Sequence, residues 1–215
     1  MATRVLIRHD TTPTTGKRLG GWTPGVHLDA GGREQAEAVA GRLAAAPVAA
    51  VYASPLERTQ ETARVLARPH DLRVRTRRGI GEVDFGEWTD RPLGQLRRRK
   101  AWELVQRAPS RVTFPGGESI RAVQARAVDT LEDLAAAHGD DLVVVVSHAD
   151  VIKAAIAHYL AMPLDAFQRL VVAPASVSVV HLGDGAVPVV SRVNDTGDAP
   201  VVSPSPRPTS DGRRR

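Results

Sequence analysis

Two histidines of the 215-residue chain stand where an apolar run stops. His9 follows Arg8 in "VLIRHDTT" (5–12), and His148 follows Ser147 in "LVVVVSH" (142–148). A third apolar stretch, "AAVYA" (49–53), ends at Ser54, with Arg58 four residues later. Two imidazoles and two guanidinium groups gathered at one place suit an oxyanion, above all a phosphoryl group. Guanidinium grips phosphate through paired hydrogen bonds. A neutral imidazole held in one tautomer can attack phosphorus. The departing oxygen then needs a proton from a carboxylic acid, a contribution of about 10²–10⁴ in rate. "GIGEVDFGEWTD" (79–90) offers Glu82, Asp84, Glu87 and Asp90, and composition alone does not choose among them.

Each of these residues has a plainer alternative. A lone histidine at a strand end is usually hydrogen-bonded structure, and a lone arginine is usually half of a surface ion pair. The functional reading rests on their convergence at one edge of a sheet. The other histidines, His27, His70, His138, His158 and His181, have no comparable setting. No histidine pair has metal-ligand spacing with a third partner, so neither a metal nor a cofactor is expected.

That convergence requires particular elements. Strands are predicted at 3–7, 49–53, 72–76, 142–146, 176–182 and 187–193. Helices are predicted at 32–45, from 54 to about 66, at 92–106, from the "FPGGES" turn to about 137, and at 149–161. Asp29 is placed to cap the first helix. "SPLE" (54–57) reads as a capping box opening the second. "LVVVV" (142–146) is a continuous apolar run, as a strand buried on both faces requires. Strands alternating with helices give a three-layer α/β/α sandwich with a mostly parallel sheet, whose ligands bind beyond the carboxyl ends of the strands. The catalytic domain is expected to span 1–194. The tail 195–215, with four prolines and few apolar residues, is expected to be disordered.

The chain has no cysteine, which excludes disulfides and thiolate chemistry. The N-terminus has no apolar leader and no run reaches about 20 apolar residues, so a soluble cytoplasmic protein without a membrane partner is expected. The net charge is +5, and residues 71–111 hold the excess. That segment reads as a solvated basic face more readily than as a nucleic-acid site, because a single aromatic, Trp102, stands in its basic run. Nothing in the sequence indicates an oligomeric state.

"LIRHDTT", "YASPLERTQETA", "GEVDFGEW", "FPGGES" and "VVVVSHADVIKAAIAHYL" together resemble the histidine phosphatase superfamily, the phosphoglycerate-mutase-like proteins, and within it a branch of small phosphatases and phosphomutases. The resemblance spans roughly residues 4–182, with five motifs in register. It implies a metal-independent phosphomonoester hydrolase acting on a small phosphorylated metabolite. His9 would become phosphorylated, Arg8, Arg58 and His148 would bind the phosphoryl oxygens, and Glu82 would donate the proton. A phosphomutase is the alternative, although only 32 residues separate Glu82 from Pro115, short for the insertion that mutases carry. A non-catalytic phospho-ligand or protein-binding module is the third reading. Two positions depart from the family pattern. Asp10 stands where glycine is common, and is expected to face away from the anion, pairing with Lys17 or Arg18 or forming an Asx turn. Thr15 stands where a phosphate-binding asparagine is frequent, so Thr15 and the Gly16 backbone are expected to supply donors instead.

Overall fold

The computed structural model describes residues 1–183 and 185–201. One six-stranded sheet organises them. Its strands are β1 (Ala2–Arg8), β2 (Val48–Ala53), β3 (Val74–Thr76), β4 (Leu142–Ser147), β5 (Val177–Leu182) and β6 (Val189–Asp195), in the order β3-β2-β4-β1-β5-β6. The β3, β2, β4 and β1 strands run parallel, β5 is antiparallel to β1, and β6 is antiparallel to β5. The helices are α1 (Ala30–Leu43), α2 (Glu57–Ala67), α3 (Leu93–Leu96), α4 (Lys100–Arg107), α5 (Ile120–His138) and α6 (Ala149–Tyr159).

Side chains alternate across a strand, so successive residues feed two separate cores. Val5, Ile7, Val51, Ala53, Val144 and Val146 pack with α1 and α2, whereas Leu6, Tyr52, Val143 and Val145 pack with α5 and α6. Every residue of β4 is buried, as its unbroken apolar run requires. The result is the expected three-layer, mostly parallel sandwich.

Local signals misplace three elements. The α2 helix begins at Glu57, with Leu56 and not Ser54 at its N-cap. The Ser54 hydroxyl serves His148 instead, at 2.8 Å from Nε2. The single helix expected over 92–106 is two, α3 and α4, and both bury a side chain, Leu96 and Val105 respectively. These residues lie nine apart, about two and a half turns, and would face opposite sides of one straight helix. The break at Arg97–Arg99 lets both turn inward.

The third correction concerns the C-terminus. Strand β6 runs through Asp195, and the chain past it docks on α1. Arg42 pairs with Asp195 at 2.8 Å and donates from Nε to the Ala199 carbonyl at 2.9 Å. Val201 is buried against the α1–α2 core, and its N–H reaches the Arg42 carbonyl. Few apolar residues suffice here because one arginine anchors the segment. Residues 202–215 of the predicted tail lie outside the described residues.

Asp29 caps α1, accepting from Gly32 N at 2.7 Å as expected. The "GEVDFGEW" and "FPGGES" segments meet backbone to backbone. A Cβ on Gly117 would lie 2.2 Å from the Asp84 carbonyl, and one on Gly86 2.1 Å from that of Pro115, so no larger residue fits either position. This contact brings the acidic segment against the start of α5.

Candidate active site

Three neighbouring strands, β2, β4 and β1, end at the same edge of the sheet. Arg8 and His9 finish β1, Ser54 follows β2, and Ser147 and His148 finish β4, with His148 at the N-cap of α6. Arg58 enters from the first turn of α2. The structure therefore brings together Arg8, His9, Arg58, His148 and Glu82.

Arg58 lies at the centre. Its Nε is 3.3 Å from His9 Nε2, and its Nη2 is 3.4 Å from His148 Nδ1 and 2.9 Å from the Gly21 carbonyl. Glu82 Oε2 stands 3.6 Å from His148 Nδ1 and 3.9 Å from Arg58 Nη2. Arg58 is only 3% exposed and His148 not at all.

The hydrogen bonds fix both tautomers. Guanidinium only donates, so each ring nitrogen facing Arg58 must present a lone pair. His9 then carries its proton on Nδ1, which lies 2.8 Å from the Asp10 carbonyl. His148 carries its proton on Nε2 and donates to Ser54. Burial, with Arg58 close to both rings, pushes both imidazoles well below their usual pKa, so both are neutral. The His9 lone pair thus points into the site, covered by Arg58.

Burial pushes the Glu82 carboxyl up to about 7, against the opposing pull of Arg58 and Arg8. A carboxyl that still holds its proton near neutral pH, beside two arginines, can protonate a departing oxygen. Arg8 donates from Nη1 to the Val172 carbonyl at 2.8 Å. Its Nε and the Nη1 of Arg58 are buried with no acceptor among the described residues. A buried charged donor left without a partner costs more than the 1–3 kcal/mol of a neutral one, on the order of several kcal/mol, and an oxyanion would offset it.

The loop residues lie differently. The Thr15 hydroxyl accepts the Thr12 N–H at 2.9 Å and bonds the Thr12 hydroxyl at 3.0 Å. Gly16 is exposed at the loop turn, with φ of 74°. No hydrogen bond among the described residues joins either to the other five. Asp10 is fully buried, and its Oδ2 accepts from Thr62 on α2 at 2.6 Å. Lys17 and Arg18, the partners expected for it, bind the Pro13 carbonyl and Asp90 instead.

Sequence reasoning missed Ser54 as the partner of His148, Thr62 as that of Asp10, and the Gly21 and Val172 carbonyls. All four contacts join residues 37 to 164 positions apart, and no local pattern encodes them.

The model of the histidine phosphatase superfamily (branch 1) matches residues 5–196. The chain belongs to this superfamily. Over 186 residues it is 30% identical to phosphoserine phosphatase 1 of Hydrogenobacter thermophilus, covering 85% of this chain and 87% of that protein. Over 190 residues it is 33% identical to the metal-independent phosphoserine phosphatase of Arabidopsis thaliana, covering 84% and 76%. Among solved structures, Bacillus stearothermophilus YhfR superposes with a TM-score of 0.86 at 26% identity, covering 92% of this chain and 99% of that one. The sheet and its flanking helices are those of the superfamily fold.

Proposed function

We propose that this histidine phosphatase hydrolyses small phosphomonoesters through a phosphohistidine formed on His9. The observation that carries the reading is a pair of guanidinium groups, Arg8 and Arg58, each with a buried, unmatched N–H donor, converging on a neutral imidazole beside a protonated carboxyl. An incoming phosphoryl group would draw Arg58 off the His9 lone pair. Nε2 of His9 would then attack phosphorus, and the ester oxygen would leave with the proton of Glu82. Arg8, Arg58 and His148 would hold the phosphoryl oxygens. In the second half, the Glu82 carboxylate would take a proton from water as the water oxygen joins phosphorus and the P–N bond breaks, releasing inorganic phosphate. Relatives named phosphoserine phosphatase support a small phosphorylated metabolite as the substrate. Arginines and a helix N-terminus supply the positive charge that a metal provides elsewhere, and the related Arabidopsis enzyme is named metal-independent. Among the described residues no helix is long and apolar enough to cross a membrane, and with no cysteine in the chain the cytoplasm is the compartment we assign.

A screen of phosphorylated metabolites, read by released phosphate with His9→Ala as control, tests the proposal. Acid-labile, base-stable label should appear on His9, and kcat/KM should decline as pH rises through about 7, where Glu82 loses its proton. Label on a serine, or full activity in a folded His9→Ala protein, would overturn it.

A further inference from the structure

Arg126, in the second turn of α5, uses all five of its N–H donors. Nε donates to Glu118 Oε2 at 3.0 Å, and Nη2 to Glu118 Oε1 at 2.7 Å. The remaining three reach main-chain carbonyls: Nη1 those of Gly79 at 2.7 Å and Gly81 at 2.8 Å, Nη2 that of Glu82 at 3.0 Å. A guanidinium has five donors in a fixed plane, and here each has an acceptor.

The acceptors are informative. Gly79, Gly81 and Glu82 form the approach to the carboxyl near His148. On the far side, Glu118 Oε1 also accepts the Asp84 N–H at 2.8 Å, and the Glu118 N–H reaches the Asp84 carbonyl at 3.0 Å. The Arg126–Glu118 pair therefore grips the main chain on both sides of Glu82. The other hydrogen bonds on this stretch come from Trp22 Nε1 to the Glu82 carbonyl at 2.7 Å, Ser147 Oγ to that of Ile80 at 2.8 Å, and, within the segment, the Gly81 N–H to the Arg78 carbonyl at 2.9 Å, the Val83 N–H to Glu82 Oε1 at 2.9 Å and the Gly86 N–H to Asp84 Oδ1 at 3.0 Å. Helix α5 comes so near that a Cβ on Gly79 would lie 2.0 Å from Thr130 Oγ1, and the Trp22 ring covers Gly81 from the other side.

We propose that Arg126 is the positioning residue for the Glu82 carboxyl, with Glu118 as its orienting partner. Arg126 stays clear of the reacting atoms. It fixes the segment from which Glu82 projects, so that the carboxyl stays between His148 and Arg58. The inference rests on Glu82 being the proton donor. The function belongs to the planar fork, not to positive charge alone, because a lysine offers three donors from one point and cannot satisfy three carbonyls and a carboxylate together. The charged groups around Glu82 are Arg8 of β1, Arg58 of α2, and Asp150 at the start of α6, with His148 neutral beside it.

The test compares p-nitrophenyl phosphate, whose oxygen leaves without help, with phosphoserine, whose oxygen needs a proton. Arg126→Met should lower kcat/KM by about 100-fold for phosphoserine and by far less for the aryl ester, the signature of a lost general acid. Glu82→Gln should show the same signature, and the double variant should be no worse than Glu82→Gln. Arg126→Lys should resemble Arg126→Met. The alkaline limb of the kcat/KM profile should move to lower pH in the arginine variants, as Glu82 turns towards water. Should Arg126→Met not fold, Arg126→Lys and Glu118→Gln carry the same comparison. Equal losses for both esters, or losses that multiply in the double variant, would mean a merely structural arginine. If Glu82→Gln discriminates between the esters and the arginine variants do not, this proposal alone falls. If Glu82→Gln does not discriminate, the acid assignment falls first and this proposal with it.

Discussion

Asp10 shows how a residue that looks wrong by type is accommodated by place. A carboxylate facing a phosphoryl dianion at about 4 Å would oppose it by several kcal/mol at an effective dielectric near 20. The fold removes the conflict by turning the side chain into the interior, onto Thr62 of α2, one turn beyond Arg58. Burial pushes this carboxyl up to about 6, and its Oδ1 has no partner among the described residues. A carboxyl with its folded pKa raised contributes stability that is complete below the unfolded value and lost as pH rises through about 6. Asp10→Asn should therefore raise the Tm near pH 8, by roughly 2–4 °C for each kcal/mol gained, and change it little near pH 4. Turnover should be largely kept, since the backbone carbonyl that holds His9 is untouched. A Tm gain that is the same at both pH values would contradict the assigned titration. The sequence showed that Asp10 should not face the anion, but not its partner, which lies 52 residues away. Arg126 was invisible for the same reason, since an arginine inside an amphipathic helix carries no local mark of the carbonyls it meets.

At the scale of elements, alternation and apolar runs placed every strand and the long helices to within a few residues, because those patterns are the burial itself. The failures lie where a tertiary contact competes with a local one. Ser54 and Pro55 look like the start of a helix, yet the hydroxyl is drawn to His148 and the helix waits until Glu57. Removing a true capping serine costs about 1 kcal/mol of stability. Ser54→Ala should lower the Tm too, because it leaves the buried His148 Nε2–H without its acceptor, but it should also lower kcat/KM about tenfold, the worth of roughly one hydrogen bond to a positioned ring. A falling Tm with kcat/KM intact would return Ser54 to a structural role. The α3–α4 break was illegible for a different reason: helix periodicity records that Leu96 and Val105 are apolar, but not that both must reach the same core.

At the scale of the molecule, residues 195–201 of the C-terminal tail depart from what composition led us to expect. Proline-rich and poor in apolar groups, the tail seemed unable to offset about 1–2 kcal/mol of backbone entropy per residue. Residues 195–201 are held through Arg42, whose side chain is 8% exposed and which binds Asp195 and Ala199, and through the burial of Val201. Two truncations separate the contributions. A chain ending at Asn194 should melt several degrees below one ending at Val201, because it loses the Arg42 contacts and the Val201 burial together. Equal Tm values would show that the docked segment adds nothing.

The place of β1 in the sheet bears on how the enzyme comes into being. Val5 pairs with Val144 on one side and Val179 on the other. The strand that leads into His9 is thus among the first segments synthesised and among the last to find its neighbours. At 5–20 residues per second, the ribosome takes roughly ten seconds or more to deliver both partners. Until then β1 is an apolar edge with unmet N–H and C=O groups, the kind of surface on which nascent chains aggregate. Contacts of such long sequence separation also slow spontaneous folding. Catalytic competence is therefore acquired all at once, near the end of synthesis, and a chain cut before β5 holds His9 at the end of a strand that lacks one wall of its sheet.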